Sequence, residues 1–364
     1  MTTLPTSSAM VSAGWLNAVL TDDVRGGRQV ADVTATVIGE GVGFLGEVAR
    51  LELTYEDPGA ASVTSMICKM PTSNEGFRFV GDMLGLYEKE SGFYRDVAPE
   101  ITLRIPTCYA NLQDGQGYAL LLEDLAPMRP GDQLESCSLP EARMALAEVA
   151  KLHARWWQHE RLADFEAWLP GPGSATLQVF EAGYIGGVDA FHQNWAHLVS
   201  TDVHQLVDRA AVAYHAMIDA GPGREPHTFI HGDFRLDNMM FGTDPDEPSL
   251  ALLDFQLPFQ ANAMWDVIYF LAGNFEPEWR LEHQDELLAH YHSCLVERGV
   301  DGYDLEQCRE DYRASALVLL GYLVTSAADI DLETLSDRGR ELIETMFKRY
   351  GSAIDDLGAA EFMP

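Results

Sequence analysis

The chain has 364 residues, 47% of them hydrophobic and 10% aromatic, enough for a sizeable interior and more length than one core usually fills. Lys and Arg number 24 against 57 Asp and Glu, a net charge of −33, which repels a phosphate backbone and excludes nucleic acid as the expected partner. The five cysteines, Cys68, Cys108, Cys137, Cys294 and Cys308, are odd in number and contain no Cys-x-x-Cys pair, so neither a disulfide framework nor a zinc site is expected and a reducing cytoplasm fits.

The first residues, MTTLPTSSAMVSAGW, lack a basic region and a sustained apolar run, and no later stretch is long and apolar enough for a membrane span. From about Val30 to Leu125 the pattern is strand-like: VADVTATVIG, EVARLELTYE and SVTSMICKM are separated by turn residues, which predicts a small antiparallel sheet. Asp82 to Val97 has helical spacing and Pro99 closes it. The apolar run Tyr118 to Leu122 reads as a strand, and Glu123-Asp124 after it as the exit from a first lobe, 1–124.

A second lobe, 125–364, is predicted to be mainly helical. It begins where Ser138 can cap a helix and Glu141 can complete a capping box. Residues 170–190, rich in Gly and Pro, read as a long connection. Between Thr228 and Asp254 the short apolar runs TFI, NMMF and LALLD alternate with polar loops, a strand-loop-strand setting in which catalytic loops commonly sit. Helical segments follow near Trp265 to Ala272, Arg280 to Glu297, Leu305 to Ala328 and Leu335 to Tyr350.

The chemistry-bearing feature is His231-Gly-Asp233-Phe-Arg-Leu-Asp237-Asn238. Phosphoryl transfer needs a hydroxyl oriented and deprotonated and phosphate charge offset by metal. Asp233 can accept the proton while Asn238 binds Mg²⁺, and Asp254, at the end of Leu250 to Leu253, supplies a second oxygen ligand. Upstream, Gly41-Val-Gly43-Phe-Leu-Gly46-Glu-Val48 matches Gly-x-Gly-x-x-Gly-x-Val, either a loop over ATP phosphates or an ordinary hairpin turn. A dinucleotide fingerprint is disfavoured because a strand follows it, not a helix. Lys69 ends an otherwise apolar strand, as expected for a lysine on the ATP phosphates, with Glu90 as its acidic partner and Glu88 as the fallback.

These residues resemble the aminoglycoside phosphotransferase and choline kinase superfamily, and particularly its ecdysteroid-kinase-like branch. The resemblance rests on His231-Gly-Asp233-x4-Asn238, Leu253-Asp254-Phe255-Gln256, Glu90-Ser-Gly-Phe-Tyr94, the helix with Leu152-His153-Ala154, and Trp265-Asp266. It implies an α+β, bilobal protein-kinase-like fold, ATP and Mg²⁺ in a cleft, Asp233 as base, Asn238 and Asp254 as metal ligands, and Lys69 paired with Glu90. It further implies that the backbone of Glu123, Asp124 and Leu125 binds adenine and that Asp266 braces the catalytic loop. Gln256 stands where protein kinases have Gly, so a regulatory flip of that segment is not implied.

His231 is a loop-shaping residue in one reading and a base or ligand in another. A rival function, a metal-dependent oxygenase or hydrolase, would join His231-x-Asp233 to His290 or His292, and leaves Lys69, Glu90, Asn238 and Asp254 unexplained. A catalytically inactive nucleotide-binding regulator would not need both the base and the metal ligands. The expected activity is ATP- and Mg-dependent phosphorylation of a hydroxyl on a small molecule. The acidic balance either favours a cationic acceptor or aids solubility.

Overall fold

The computed structural model describes residues 3–38, 46–57, 63–114, 117–329 and 336–364. Two compact units emerge: Met1–Glu100 with Ile105–Met128, and Ile101–Arg104 with Arg129–Pro364. No helix among the described residues is long and apolar enough to cross a membrane.

In the first unit, helices α1 (Ala13–Val19) and α2 (Asp22–Arg25) precede strands β1 (Val30–Val37), β2 (Gly46–Tyr55) and β3 (Ser65–Pro71). Helices α3 (Glu75–Met83) and α4 (Leu86–Gly92) follow, then β4 (Cys108–Asp114) and β5 (Gly117–Glu123). The antiparallel sheet runs in the order β1-β2-β3-β5-β4. Alternation along β2 buries Ala49, Leu51, Leu53 and Tyr55 with Met66, Cys68 and Met70 of β3 and Trp15 and Leu16 of α1, the period-2 signature of a one-sided core. Lys69 is out of phase with that set and so lies on the opposite face.

The helix expected from Asp82 is two helices, because Gly85 takes a left-handed conformation (φ +65) between α3 and α4, which an L side chain resists. Phe93–Val97 then continues α4 as a π-helical turn. Strand β4 lacks the apolar alternation that marks the other strands, because its residues are half-buried along most of its length.

The second unit contains β6 (Arg129–Pro130), α5 (Leu139–Arg155), α6 (Ala175–Asn194), α7 (Thr201–Val212) and α8 (Tyr214–Ala220). Next come β7 (His227–Ile230), β8 (Met239–Phe241), β9 (Leu250–Leu252), β10 (Phe259–Asn262), α9 (Met264–Asn274), α10 (Pro277–Glu297), α11 (Leu305–Ser315), α12 (Val318–Asp329) and α13 (Asp337–Asp356). Ser138 and Glu141 form the reciprocal capping box at the start of α5. The segment Leu305 to Ala328 is two helices, broken after Ser315.

Residues 170–190 are not a long connection, since most of them lie in α6. One of their glycines serves packing: a Cβ at Gly187 would come within 2.2 Å of the Val324 carbonyl oxygen on α12, so the bare backbone lets the two helices meet. A residue that looks like a loop former therefore makes a helix seam.

Two short antiparallel pairings frame the polar loop. Strand β7 pairs with β10, and β8 pairs with β9 so that Met239 faces Leu252. The chain crosses from one small sheet to the other over His231 to Asn238, a segment that is itself not strand.

Candidate active site

Asp233 sits just after β7. Its carboxylate accepts from the Tyr269 hydroxyl at Oδ1 (3.0 Å), from Asn238 Nδ2 at Oδ2 (2.8 Å), and from Arg235 Nε, which lies 3.2 Å from Oδ2 and 3.1 Å from Oδ1. A carboxylate has about four lone-pair positions, so three donors leave one for a further hydroxyl. Burial, before the neighbouring Tyr350 and Asp233, pushes the Tyr269 phenol well above its usual value, which keeps it a donor. Burial opposes the charge of Arg235, but Asp233 and then Tyr269 and Asp237 outweigh it and hold its pKa above the ordinary value.

Asn238 gives Nδ2 to both Asp233 Oδ2 and the Asp233 carbonyl (2.9 Å). Only an amide nitrogen satisfies two acceptors, so Oδ1 is the atom turned elsewhere, and it meets no donor among the described residues. An amide oxygen is a suitable ligand for a hard cation. Asp254 follows β9 in a left-handed conformation (φ +64), which costs a non-glycine residue roughly 1–3 kcal/mol. Its neighbour Leu253 is pinned twice: its N–H donates to the Asn238 carbonyl (2.8 Å), and its carbonyl accepts from His231 Nε2 (2.8 Å). The backbone thus ties the Asp254 turn to the Asp233 loop.

Both ring nitrogens of His231 serve that tie. Nε2 faces a carbonyl and must carry the proton, while Nδ1 accepts from the Asp233 N–H (3.2 Å). The histidine is consumed by backbone, which favours loop shaping over ligand or base chemistry. His290 Nε2 meets the Arg143 carbonyl and His292 Nε2 the Tyr303 carbonyl. No group of three or more His, Cys, Asp or Glu suited to a metal occurs among the described residues. The His-x-Asp set of the oxygenase reading is not assembled here.

Asp266, fully buried in the first turn of α9, accepts from the N–H groups of His231 (2.7 Å) and Gly232 (2.8 Å) and from His153 Nε2 (3.0 Å). His153 comes from α5 and its Nδ1 meets the Tyr291 hydroxyl of α10 (2.7 Å). Gly232 has φ +78, and a Cβ there would lie 1.9 Å from the Leu257 carbonyl oxygen, so the loop tolerates no side chain. Its carbonyl accepts from the Tyr322 hydroxyl (2.9 Å), which in turn accepts from Trp265 Nε1 (3.0 Å).

In the first unit, Lys69 Nζ lies 2.6 Å from Glu90 Oε1, and the Tyr118 hydroxyl donates to Glu90 Oε2. Glu90 is fully buried whereas Glu88 is exposed, so the pairing falls on Glu90. Gly41 and Gly43 lie outside the described residues; Gly46 opens β2 opposite Pro71. The Glu123 N–H donates to the Thr107 carbonyl (2.8 Å) and its carboxylate accepts from Thr107. Asp124 holds Arg50 (2.7 Å) and Ser65, and the Leu125 carbonyl accepts from Met128 N–H. The side chains of Glu123 and Asp124 are thus committed to the unit's own structure.

Arg235, Tyr269, His153 and Gln133, whose Oε1 accepts from Arg235 Nη1 (2.9 Å), are parts of this arrangement that sequence reasoning gave no role. Tyr269 was findable, since it stands one helical turn after Asp266 and shares its face. Arg235 lay inside the motif itself. Gln133, distant in sequence, had no such signal.

The α+β architecture and this loop between short strands define the class, a protein-kinase-like fold. A protein of Ralstonia eutropha provisionally described as an aminoglycoside phosphotransferase matches with a TM-score of 0.57 at 16% identity, over 95% of this chain and 97% of its own. Plasmodium vivax ethanolamine kinase matches at 0.53 and 11%, over 88% and 82%. The GDP and kanamycin complex of APH(2")-IIia matches at 0.53 and 14%, over 92% and 97%. A comparison with curated sequences returned no match. The family model of the ecdysteroid kinase-like family matches residues 40–300, and the chain belongs to that family.

Proposed function

We propose that the chain is an ATP- and Mg-dependent phosphotransferase whose acceptor is a hydroxyl of a small molecule. The observation that carries this is the hydrogen bonding of Asp233: three donors orient the carboxylate and one acceptor position is left for the proton of an incoming hydroxyl. Family membership and a neighbour solved with GDP and kanamycin support the class. In this reading Asp233 is the base, Asn238 Oδ1 and the Asp254 carboxylate hold the metal, and Lys69, steadied by Glu90, meets the nucleotide phosphates. Magnesium, when bound, offsets phosphate charge. His231 and Asp266 position the loop, and the backbone near Leu125 meets the nucleobase.

The experiment is a screen of small alcohols, cationic and neutral, for Mg·ATP consumption, followed by Asp233→Asn on the accepted substrate. The variant is expected to lower kcat by about 10²–10⁴ while Mg·ATP affinity measured by calorimetry stays near wild type, because the base acts on the acceptor. Unchanged turnover would remove Asp233 from the reaction.

A further inference from the structure

We propose that Arg235 is an arginine finger supplied by the catalytic loop itself, the open edge of its guanidinium gripping the phosphoryl group as it moves to the acceptor. The inference rests on the phosphotransferase reading and adds a residue to it.

The side chain is fixed before any substrate arrives. Nη1 donates to Gln133 Oε1 (2.9 Å) and lies 3.4 Å from Asp237 Oδ2, while Nε donates to Asp233 Oδ2 (3.2 Å) and lies 3.1 Å from Oδ1. Its anchors are fixed in turn. Gln133 is fully buried, its N–H donates to Asp237 Oδ1 (3.0 Å), and its carbonyl accepts from Arg349 Nη1 (2.8 Å).

A guanidinium has five N–H donors. Nε and Nη1 account for three, and the two on Nη2 meet no acceptor among the described residues. An arginine present only to pair with Asp233 would set its Nε and Nη2 edge against both carboxylate oxygens in the usual fork. Here Nε alone does so. The unused donors therefore belong to a cation held within hydrogen-bond distance of the base.

The place of the base sets what those donors can reach. The acceptor oxygen gives its proton to Asp233 and bonds to the γ-phosphorus. As that bond forms, the bond from phosphorus to the β–γ bridging oxygen breaks, and that oxygen leaves with its electron pair on the nucleoside diphosphate. Negative charge spreads over the three non-bridging oxygens in between. Arg235 changes no covalent bond and keeps its proton; Nη2 donates to that charge from a position already organised.

Calorimetry of Mg·ADP with and without aluminium fluoride, a planar mimic of the phosphoryl group in transit, tests this without a known acceptor. Wild type is expected to bind Mg·ADP roughly tenfold or more tightly with the fluoride, as transition-state mimics do. Arg235→Met should bind Mg·ADP within about twofold of wild type and lose that gain, and Arg235→Lys should recover part of it, since a point charge replaces the fork. Arg235→Met retaining the full gain overturns the inference while the phosphotransferase reading stands, and so does a wild type that binds Mg·ADP with no gain from fluoride. Loss of Mg·ADP binding itself in Arg235→Met marks a structural residue and also overturns it. A wild type that does not bind Mg·ADP removes the phosphotransferase reading and Arg235 with it.

Discussion

Two lysines of the first unit are almost completely buried, and their surroundings differ. Lys69 ends in an ion pair with Glu90, so its burial is matched by an opposite charge 2.6 Å away. Lys89, 4% exposed on α4, has its amine held down to about 8, from an ordinary 10.5, by burial. Between those two values the unfolded chain keeps a proton that the folded chain has released, so this residue makes stability rise with pH through that window. Lys89→Met keeps the apolar stem and removes the ammonium. It is expected to raise Tm at pH 7, with the advantage shrinking as pH approaches 10.5; equal melting of variant and wild type at pH 7 would show that the buried amine is not a liability.

At the scale of elements, α9 organises the loop from one helical turn. Asp266 holds two loop N–H groups and Tyr269 holds the Asp233 carboxylate, an i, i+3 pair on one face. Through His153 the same carboxylate fastens α5, and through Tyr291 that imidazole reaches α10. Asp266→Ala strands three buried donors. At roughly 1–3 kcal/mol each, the loss in unfolding free energy is expected to reach at least about 3 kcal/mol, read by urea denaturation. A variant within about 1 kcal/mol of wild type would mean that water or a local shift replaces the carboxylate. The Gly187 seam between α6 and α12 and the Gly85 break before α4 belong to this scale as well, the first through the carbonyl it lets approach and the second through its own left-handed backbone (φ +65).

For the whole molecule, a net charge of −33 is the dominant electrostatic fact. Like charges at that density repel in the compact state and are relieved by screening. Tm is expected to rise as NaCl goes from about 0.02 M to about 0.5 M, where the Debye length falls to a few ångströms. A Tm that falls with salt would mean that attractive pairs, such as Arg50 with Asp124 or Arg280 with Asp356, outweigh the repulsion. Chain order carried much of what could be read in advance. The strand alternation of β2 and β3, the capping box at Ser138 and the motif around Asp233 are local patterns, written in residues close together, and so are legible in the sequence alone. What lay beyond reach was any relation between segments distant in the chain. That most of residues 170–190 lie in a helix became visible only with α12 pressed on Gly187, and Gln133 joined Arg235 only when folding brought them to 2.9 Å. Composition and spacing name the groups able to do chemistry; which lone pair of Asp233 stays open and which edge of Arg235 stays bare depends on hydrogen-bond partners that only tertiary packing supplies.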